Sequence, residues 1–100
     1  MSLIFIFKKA GAFAENKDVA REIRVQEIIP SVEKNENVVL DFEGVDATTQ
    51  SFIHALISDV IRRYGADALD RVTFKSCNET VKKIIGIVAE YMQQGMGFER

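Results

Sequence analysis

The 100-residue sequence contains only one cysteine, one proline and one histidine, and it has no tryptophan. The single cysteine, Cys77, excludes an intrachain disulfide and a zinc site built from cysteines. No apolar run approaches the roughly 20 residues that a transmembrane helix needs. Leu3 to Phe7 is apolar, but Lys8 and Lys9 follow directly, so we expect no signal peptide there. With so little cysteine, the reducing cytoplasm is the expected location.

An excess of basic residues is also missing. The chain has 13 Lys and Arg against 15 Asp and Glu, which gives a formal net charge of −2. We therefore expect neither nucleic acid nor an acidic membrane surface as a partner, because both favour basic patches. A length of 100 residues predicts one domain, residues 1–100. The apolar share of 47% is sufficient for a core without disulfides.

Strand-like and helix-like segments alternate along the chain, which predicts an α/β fold with parallel pairing. We expect a small mixed sheet with a parallel core, packed by about three helices that lie mostly on one face. The first strand, near 2–8, is expected to pair antiparallel at one side of that sheet. The parallel core is predicted from strands near 12–14, 37–42 and 71–75, and the helices near 17–33, 49–64 and 79–92.

The most informative stretch is 37–65, which runs from a buried strand through a short polar loop into an amphipathic helix. Acidic and hydroxyl side chains gather at the carboxyl end of the strand and the amino end of the helix. Open α/β domains usually bind ligands or partners at such a junction. The residues concerned are Asp41, Glu43, Asp46, Thr48, Thr49 and Ser51.

This stretch also carries a family resemblance. The block Val38–Val45, VVLDFEGV, followed by Thr49–Phe52, TQSF, resembles a STAS-type domain, as does the Gly11–Phe13 turn. That family includes bacterial anti-sigma-factor antagonists and the cytoplasmic tails of sulfate transporters. More closely, the chain is similar to the compact STAS-like domains of unknown function. The order of elements fits over nearly the whole chain, whereas the specific motif covers about fifteen residues.

The resemblance implies a non-enzymatic protein-interaction module in a regulatory or signalling pathway. In anti-sigma-factor antagonists the loop carries an Asp-Ser-Ser-Gly motif, whose first serine is phosphorylated by an anti-sigma kinase of the histidine-kinase ATPase type. An ungapped alignment from Leu40 puts Gln50 at that position, Ser51 at the second serine and Phe52 at the glycine. Glutamine is not a phosphoacceptor, so Thr48, Thr49 and Ser51 are the remaining candidates. The expected docking residues are Asp46, Thr48, Thr49, Gln50, Ser51 and His54.

Several interpretations of these residues stay open. Thr48 or Thr49 caps the helix, and the hydroxyl groups serve capping alone or capping with recognition. An added phosphate beside Asp46 predicts a charge switch against an acidic partner. The alternative function is a small-ligand or nucleotide sensor that holds an anion at the helix amino terminus near Thr49 and Ser51. We expect the junction to lie open to solvent with free amide hydrogens.

Other chemistry has weaker support in the sequence. The acidic residues Asp41, Glu43 and Asp46 are too few for a typical hard-cation site, so we expect solvated charges and no metal or cofactor. His54 lies near Ser51 and Ser58 along the helix, but serine and histidine on one solvent-facing helix surface are far more often ordinary polar surface groups, so no catalytic residue is predicted. Cys77 is interpreted as a structural thiol.

The last helix has a broad apolar stripe. Core burial is the simpler interpretation, and pairing of two chains in a homodimer is the alternative. The stripe consists of Ile84, Ile85, Ile87, Val88, Tyr91 and Met92.

Overall fold

The computed structural model describes residues 2–95. Strands and helices alternate along this part of the chain, with one π-helical segment and one 3-10 helix between them. The strands are β1 (Ser2–Phe5), β2 (Phe13–Ala14), β3 (Val38–Asp41), β4 (Ala47–Thr48) and β5 (Val72–Lys75). The helices are α1 (Ile6–Ala10), α2 (Lys17–Ile23), the π-helical segment Arg24–Ile28, α3 (Ile29–Glu33), α4 (Gln50–Tyr64), the 3-10 helix Ala66–Arg71 and α5 (Glu79–Gly95).

The larger sheet has three strands in the order β1-β3-β5, and both pairs are parallel. In register, Leu3 lies beside Val39 and Val39 beside Thr73. The predicted α/β class and its parallel core are therefore confirmed. The expected antiparallel pairing of the first strand is wrong, because the helices between β1 and β3 return the chain to the same end of the sheet before β3 begins.

The 12–14 segment lies in a second, two-stranded sheet and not in the main sheet. That segment was expected in the core of the main sheet, but β2 pairs in parallel with β4, with Phe13 beside Ala47 and Ala14 beside Thr48. Strand β4 was not predicted, since two residues are too few to show an alternating pattern. This small sheet ties the junction after β3 to the segment before α2.

The first strand is also shorter than the predicted 2–8. It ends at Phe5, opposite Asp41 at the end of β3, and α1 follows at once. Helix α1 buries Ile6 completely. Its C-cap is Gly11, whose amide donates to the Phe7 carbonyl at 2.8 Å. Basic residues in its last turn suit the carboxyl end of a helix dipole.

The helical region 17–33 is continuous, and its geometry changes before Pro30. Asn16 caps it by accepting from the Asp18 amide at 2.8 Å. Proline has no N–H and its ring clashes with the carbonyl four residues earlier. The π-helical segment, with its wider hydrogen-bonded turn, lies directly before this point, and α3 then ends at Glu33 as predicted.

The core lies between one face of the main sheet and a helix layer. Side chains from alternate strand positions, including Ile4, Leu40 and Val72, are buried on that face. Helix α4 packs between α2 and α5. Its buried face follows the predicted apolar stripe and comprises Phe52, Ile53, Leu56, Ile57, Val60 and Ile61.

Gly44 is required by the turn after β3 for two separate reasons. Its φ of +91° is in the left-handed region that residues with a Cβ rarely adopt. A Cβ at this position would also lie 3.0 Å from the Phe7 ring. We therefore expect Gly44→Ala to lower the free energy of unfolding by about 2 kcal/mol or more, measured by urea denaturation.

Gly11 offers a matched control for this change. Its φ is +80°, but nothing lies within 4 Å of a Cβ placed there. Gly11→Ala should therefore cost only the backbone strain, about 1–2 kcal/mol. Equal losses in the two variants would contradict the contribution of Phe7, and adding Phe7→Ala to Gly44→Ala should restore part of the loss.

Candidate functional site

Three backbone hydrogen bonds hold the junction after β3: one to β5, one within the turn, and one to the residue before β2. The Phe42 amide donates to the Lys75 carbonyl at 2.8 Å, and the Val45 amide donates back to the Phe42 carbonyl at 2.9 Å. The Asp46 amide donates to the Ala12 carbonyl at 2.7 Å. Val45 is buried and its neighbour Asp46 is exposed. The path of the chain is thus fixed up to Asp46, the first of the predicted recognition residues.

Thr48 lies inside this arrangement and not on its surface. The residue is 6% exposed, and its hydroxyl donates to the Ala14 carbonyl at 2.8 Å. The Thr49 amide donates to the same carbonyl at 3.2 Å. The expectation that the whole junction lies open to solvent is therefore wrong for Thr48. Pairing of β4 with β2 is the physical reason, because it turns this side chain towards the core.

The helix begins after Thr49, which is the N-cap. Its side chain accepts from the Phe52 amide at 3.1 Å, and its carbonyl accepts from the Ile53 amide at 3.2 Å. This decides the alternative between Thr48 and Thr49. Gln50 and Ser51 follow with exposed side chains, and within residues 2–95 neither of their amides has a hydrogen-bond acceptor. Two of the helix's initial N–H groups therefore have no acceptor within residues 2–95, as is usual in a first turn.

Asn78 connects the junction to the last helix. Its side-chain amide donates to the Asp46 carbonyl at 2.9 Å, while its Oδ1 accepts from the Val81 amide at 2.8 Å. The same side chain thus caps α5, as predicted, and holds the loop before α4. Asn78 thus links the start of α5 to the loop that leads into α4.

A groove of about 390 Å³ lies between α4 and α5. Three of the predicted docking residues line its α4 side, and apolar residues of α5 line the other side. Ile87 is 43% exposed and Tyr91 is 66% exposed, although both are large apolar side chains. The lining residues are Gln50, Ser51, His54, Ile87, Val88 and Tyr91.

The apolar stripe of α5 divides between the core and this groove. Ile85, Val88 and Met92 are buried, whereas Ile87 and Tyr91 are not. Core packing therefore accounts for one edge of the stripe and leaves the other uncovered. The width of the stripe was visible in the sequence, but the groove that its exposed edge shares with Gln50 and Ser51 was not.

The acidic residues of the junction do not converge. Asp41 is 4% exposed and its carboxylate accepts from the Glu43 amide at 2.9 Å, whereas Glu43 and Asp46 are exposed. Within the described part of the chain, no three metal-ligating side chains lie close enough together to hold an ion. Local turn formation explains the position of the Asp41 carboxylate.

Histidine and cysteine have separate environments. His54 is half-buried on the groove wall, while Ser58 is buried one turn later. Burial raises the pKa of the Cys77 thiol, and the nearby charges of Lys82 and Asp41 act in opposite directions. A raised pKa leaves less thiolate at neutral pH, which is consistent with a structural thiol.

The fold and this junction define the chain as an α/β domain with a parallel sheet core and a groove beside the strand-loop-helix block. Residues 20–82 match the family described as STAS-like domain of unknown function, which is well over half of the chain. The chain therefore belongs to this STAS-like family. Neither a curated protein nor a solved structure matches it. Among the helices within residues 2–95, none has the length and apolar character of a membrane span.

Proposed function

We propose that the protein is a cytoplasmic protein-interaction module of a regulatory pathway, and that its partner docks in the groove between α4 and α5. The observation that carries this proposal is the exposure of Tyr91 and Ile87 beside the polar side chains of Gln50 and Ser51. Exposed aromatic and aliphatic side chains surrounded by polar groups are typical anchors of protein interfaces.

Phosphorylation is proposed to act at Ser51. The buried hydroxyl of Thr48 is closed to a kinase in the folded chain, and the Thr49 side chain is used in capping. Ser51 is exposed and lines the groove. A phosphate there would lie near the free amides of the first helical turn, which favour an anion. It would also place about two negative charges at the rim of an apolar docking surface and oppose binding.

The partner class follows from the family resemblance. We propose a kinase of the histidine-kinase ATPase type, because such kinases bind and phosphorylate the related antagonists. Gln50 occupies the usual phosphoacceptor position, so a switch in this chain would require its neighbour Ser51. We propose no enzyme activity, since the described residues that line the groove include a serine and a histidine but no carboxylate to orient the histidine.

The docking proposal is tested by quantitative affinity purification from the source cells, followed by calorimetry with the recovered partner. Tyr91→Ala is expected to weaken binding about thirtyfold or more, as for a central aromatic anchor. Val25→Ala is the control, because Val25 is 52% exposed on the π-helical segment and does not line the groove. Equal binding by the wild type and Tyr91→Ala would refute the groove as the docking site.

The switch is tested separately with Ser51→Glu and Ser51→Ala. We expect Ser51→Glu to weaken binding of the same partner and Ser51→Ala to retain it. A phosphate on Ser51, detected by intact mass and fragmentation of protein from the source cells, would show that the modification occurs. If inorganic phosphate instead raises the melting temperature of the unmodified chain, the anion-sensor alternative would be favoured.

A further inference from the structure

The main sheet has a second face, opposite the one that packs on the helix layer. Leu3 and Phe5 of β1 point to this face and are 45% and 41% exposed. Val39 and Thr73 are in register with Leu3, and Lys75 is in the row of Phe5, so they lie on the same face. Val39 is half-buried, while Thr73 and Lys75 are exposed. Parallel sheets are normally covered on both faces, so an open face with large apolar side chains is unusual.

The dimensions of this open face suit a single helix. Each strand of the main sheet has four residues, which corresponds to a length of about 13 Å. With neighbouring strands about 4.8 Å apart, the outer strands are separated by roughly 10 Å. An α-helix with its side chains has a diameter of about 10–12 Å, and about nine residues span the strand length. One helix of two to three turns would cover the apolar residues.

Two exposed lysines border this face. The Lys8 Nζ lies 5.3 Å from the centre of the Phe5 ring. Phe5, Asp41 and Lys75 are paired in register and form one row across the sheet, and Lys75 is exposed at its far end. Asp41, between Phe5 and Lys75 in that row, is 4% exposed and bonded to the local backbone. Exposed carboxylates lie beyond the strand ends: Glu43 is two residues after β3, and Asp70 is two residues before β5. Two exposed lysines, Lys8 beside β1 and Lys75 on β5, thus lie at opposite edges of this face on a chain whose net charge is −2.

We propose that the open face binds one amphipathic α-helix of a partner protein, with an apolar stripe flanked by aspartate or glutamate. Leu3, Phe5 and Val39 contact the stripe, and Lys8 and Lys75 pair with the acidic flanks. Pairing of this face with the same face of a second copy is disfavoured, because it brings lysines towards lysines. This surface is separate from the groove between α4 and α5, so the inference is independent of the proposed function.

The test uses two synthetic helical peptides of roughly 14 residues, constrained by a side-chain bridge because isolated helices of this length are marginal. Both carry leucine at helical spacing, and they differ only in having glutamate or lysine on the flanks. Binding to the full chain is measured by fluorescence anisotropy, and the site is located by amide chemical shifts. We expect the glutamate peptide to bind at least about tenfold more tightly than the lysine peptide and to perturb Leu3, Val39 and Thr73.

Charge variants of the chain sharpen the test. Lys75→Glu should weaken binding of the glutamate peptide about tenfold, and Lys8→Glu provides a second variant in case Lys75→Glu folds poorly. Lys17→Glu is the matched control, because Lys17 is exposed at the start of α2 and its replacement changes the net charge equally. The control should bind the peptide like the wild type.

Four results would overturn the proposal. They are equal affinity for the two peptides, shift changes confined to residues outside the open face, self-association of the chain through Leu3 and Phe5 in sedimentation experiments, and binding of phosphatidylserine vesicles through this face without binding of the glutamate peptide. The last result would assign the face to an anionic membrane and not to a protein helix.

Discussion

Replacing Phe42 with alanine is expected to lower the free energy of unfolding by about 3–5 kcal/mol, one of the two largest effects predicted for this chain. Phe42 is completely buried at the carboxyl end of β3, and its ring centre lies 6.3 Å from that of Phe74. Truncation removes the apolar contacts and leaves a cavity that the sheet and helices fill only in part. Urea denaturation followed by circular dichroism measures the loss.

Phe13→Ala is the control for this prediction. It removes the same atoms from a residue that is 52% exposed on β2. The expected loss is under about 1 kcal/mol, because little apolar contact disappears. Similar losses in the two variants would contradict the position of Phe42 in the core. Since small domains are stable by about 5–15 kcal/mol, Phe42→Ala is also expected to reduce the yield of folded protein.

Thr48→Glu is expected to have a comparable effect, with a loss of about 3 kcal/mol or more in the free energy of unfolding. The threonine hydroxyl is buried and donates to the Ala14 carbonyl, which also accepts from the Thr49 amide. A carboxylate at this position would bury a negative charge, and its oxygens would face the Ala14 carbonyl oxygen that now accepts from the hydroxyl. The β2–β4 pairing should open, which thermal and urea denaturation would detect.

Ser51→Glu makes the same kind of change three residues later, on the exposed first turn of α4. A negative charge near a helix amino terminus interacts favourably with the helix dipole, so stability should be unchanged or rise by a few tenths of a kcal/mol. Thr48→Val removes the hydroxyl without adding charge and should cost about 1 kcal/mol. A stable Thr48→Glu protein with an intact β2–β4 pairing would contradict this account of the junction.

The contrast between Thr48 and Ser51 has a consequence for regulation. A modification that requires the hydroxyl of Thr48 would need local opening of the small sheet, whereas Ser51 can be modified in the folded chain. Phosphate at Ser51 would therefore change the groove without a large loss of stability. The stability measurements on Thr48→Glu and Ser51→Glu thus bear on the proposed switch before any partner is known.

Much of the secondary structure was predictable from local patterns. The apolar spacing from Phe52 to Tyr64, with Gly65 after it, predicted α4 to within a residue. The alternation in 71–75 predicted β5, and Asn78 was correctly predicted as the cap of the last helix. These features depend on residues close together in the sequence, where helical and strand periodicity and capping chemistry act.

The pairing of the strands was harder to predict from the sequence. The run 2–8 has the composition of one longer strand, but β1 stops where its partner β3 stops, and α1 buries Ile6 instead. The two-residue strand β4 has no periodicity of its own and exists through its contacts with β2. Strand direction and partner are decided by the return path of the helices, which no local pattern encodes.

The sequence alone determined the order of the main elements, the strand-loop-helix junction and the broad apolar stripe of α5, because each depends on neighbouring residues. Only the tertiary structure decided that Thr48 is buried, that Ser51 lines the same groove as Tyr91, and that Leu3 and Phe5 lie on an open face of the sheet. Burial and juxtaposition arise from the packing of segments that are distant in the chain. A hydroxyl group is therefore a surface group at Ser51 and a buried hydrogen-bond donor three residues earlier, at Thr48.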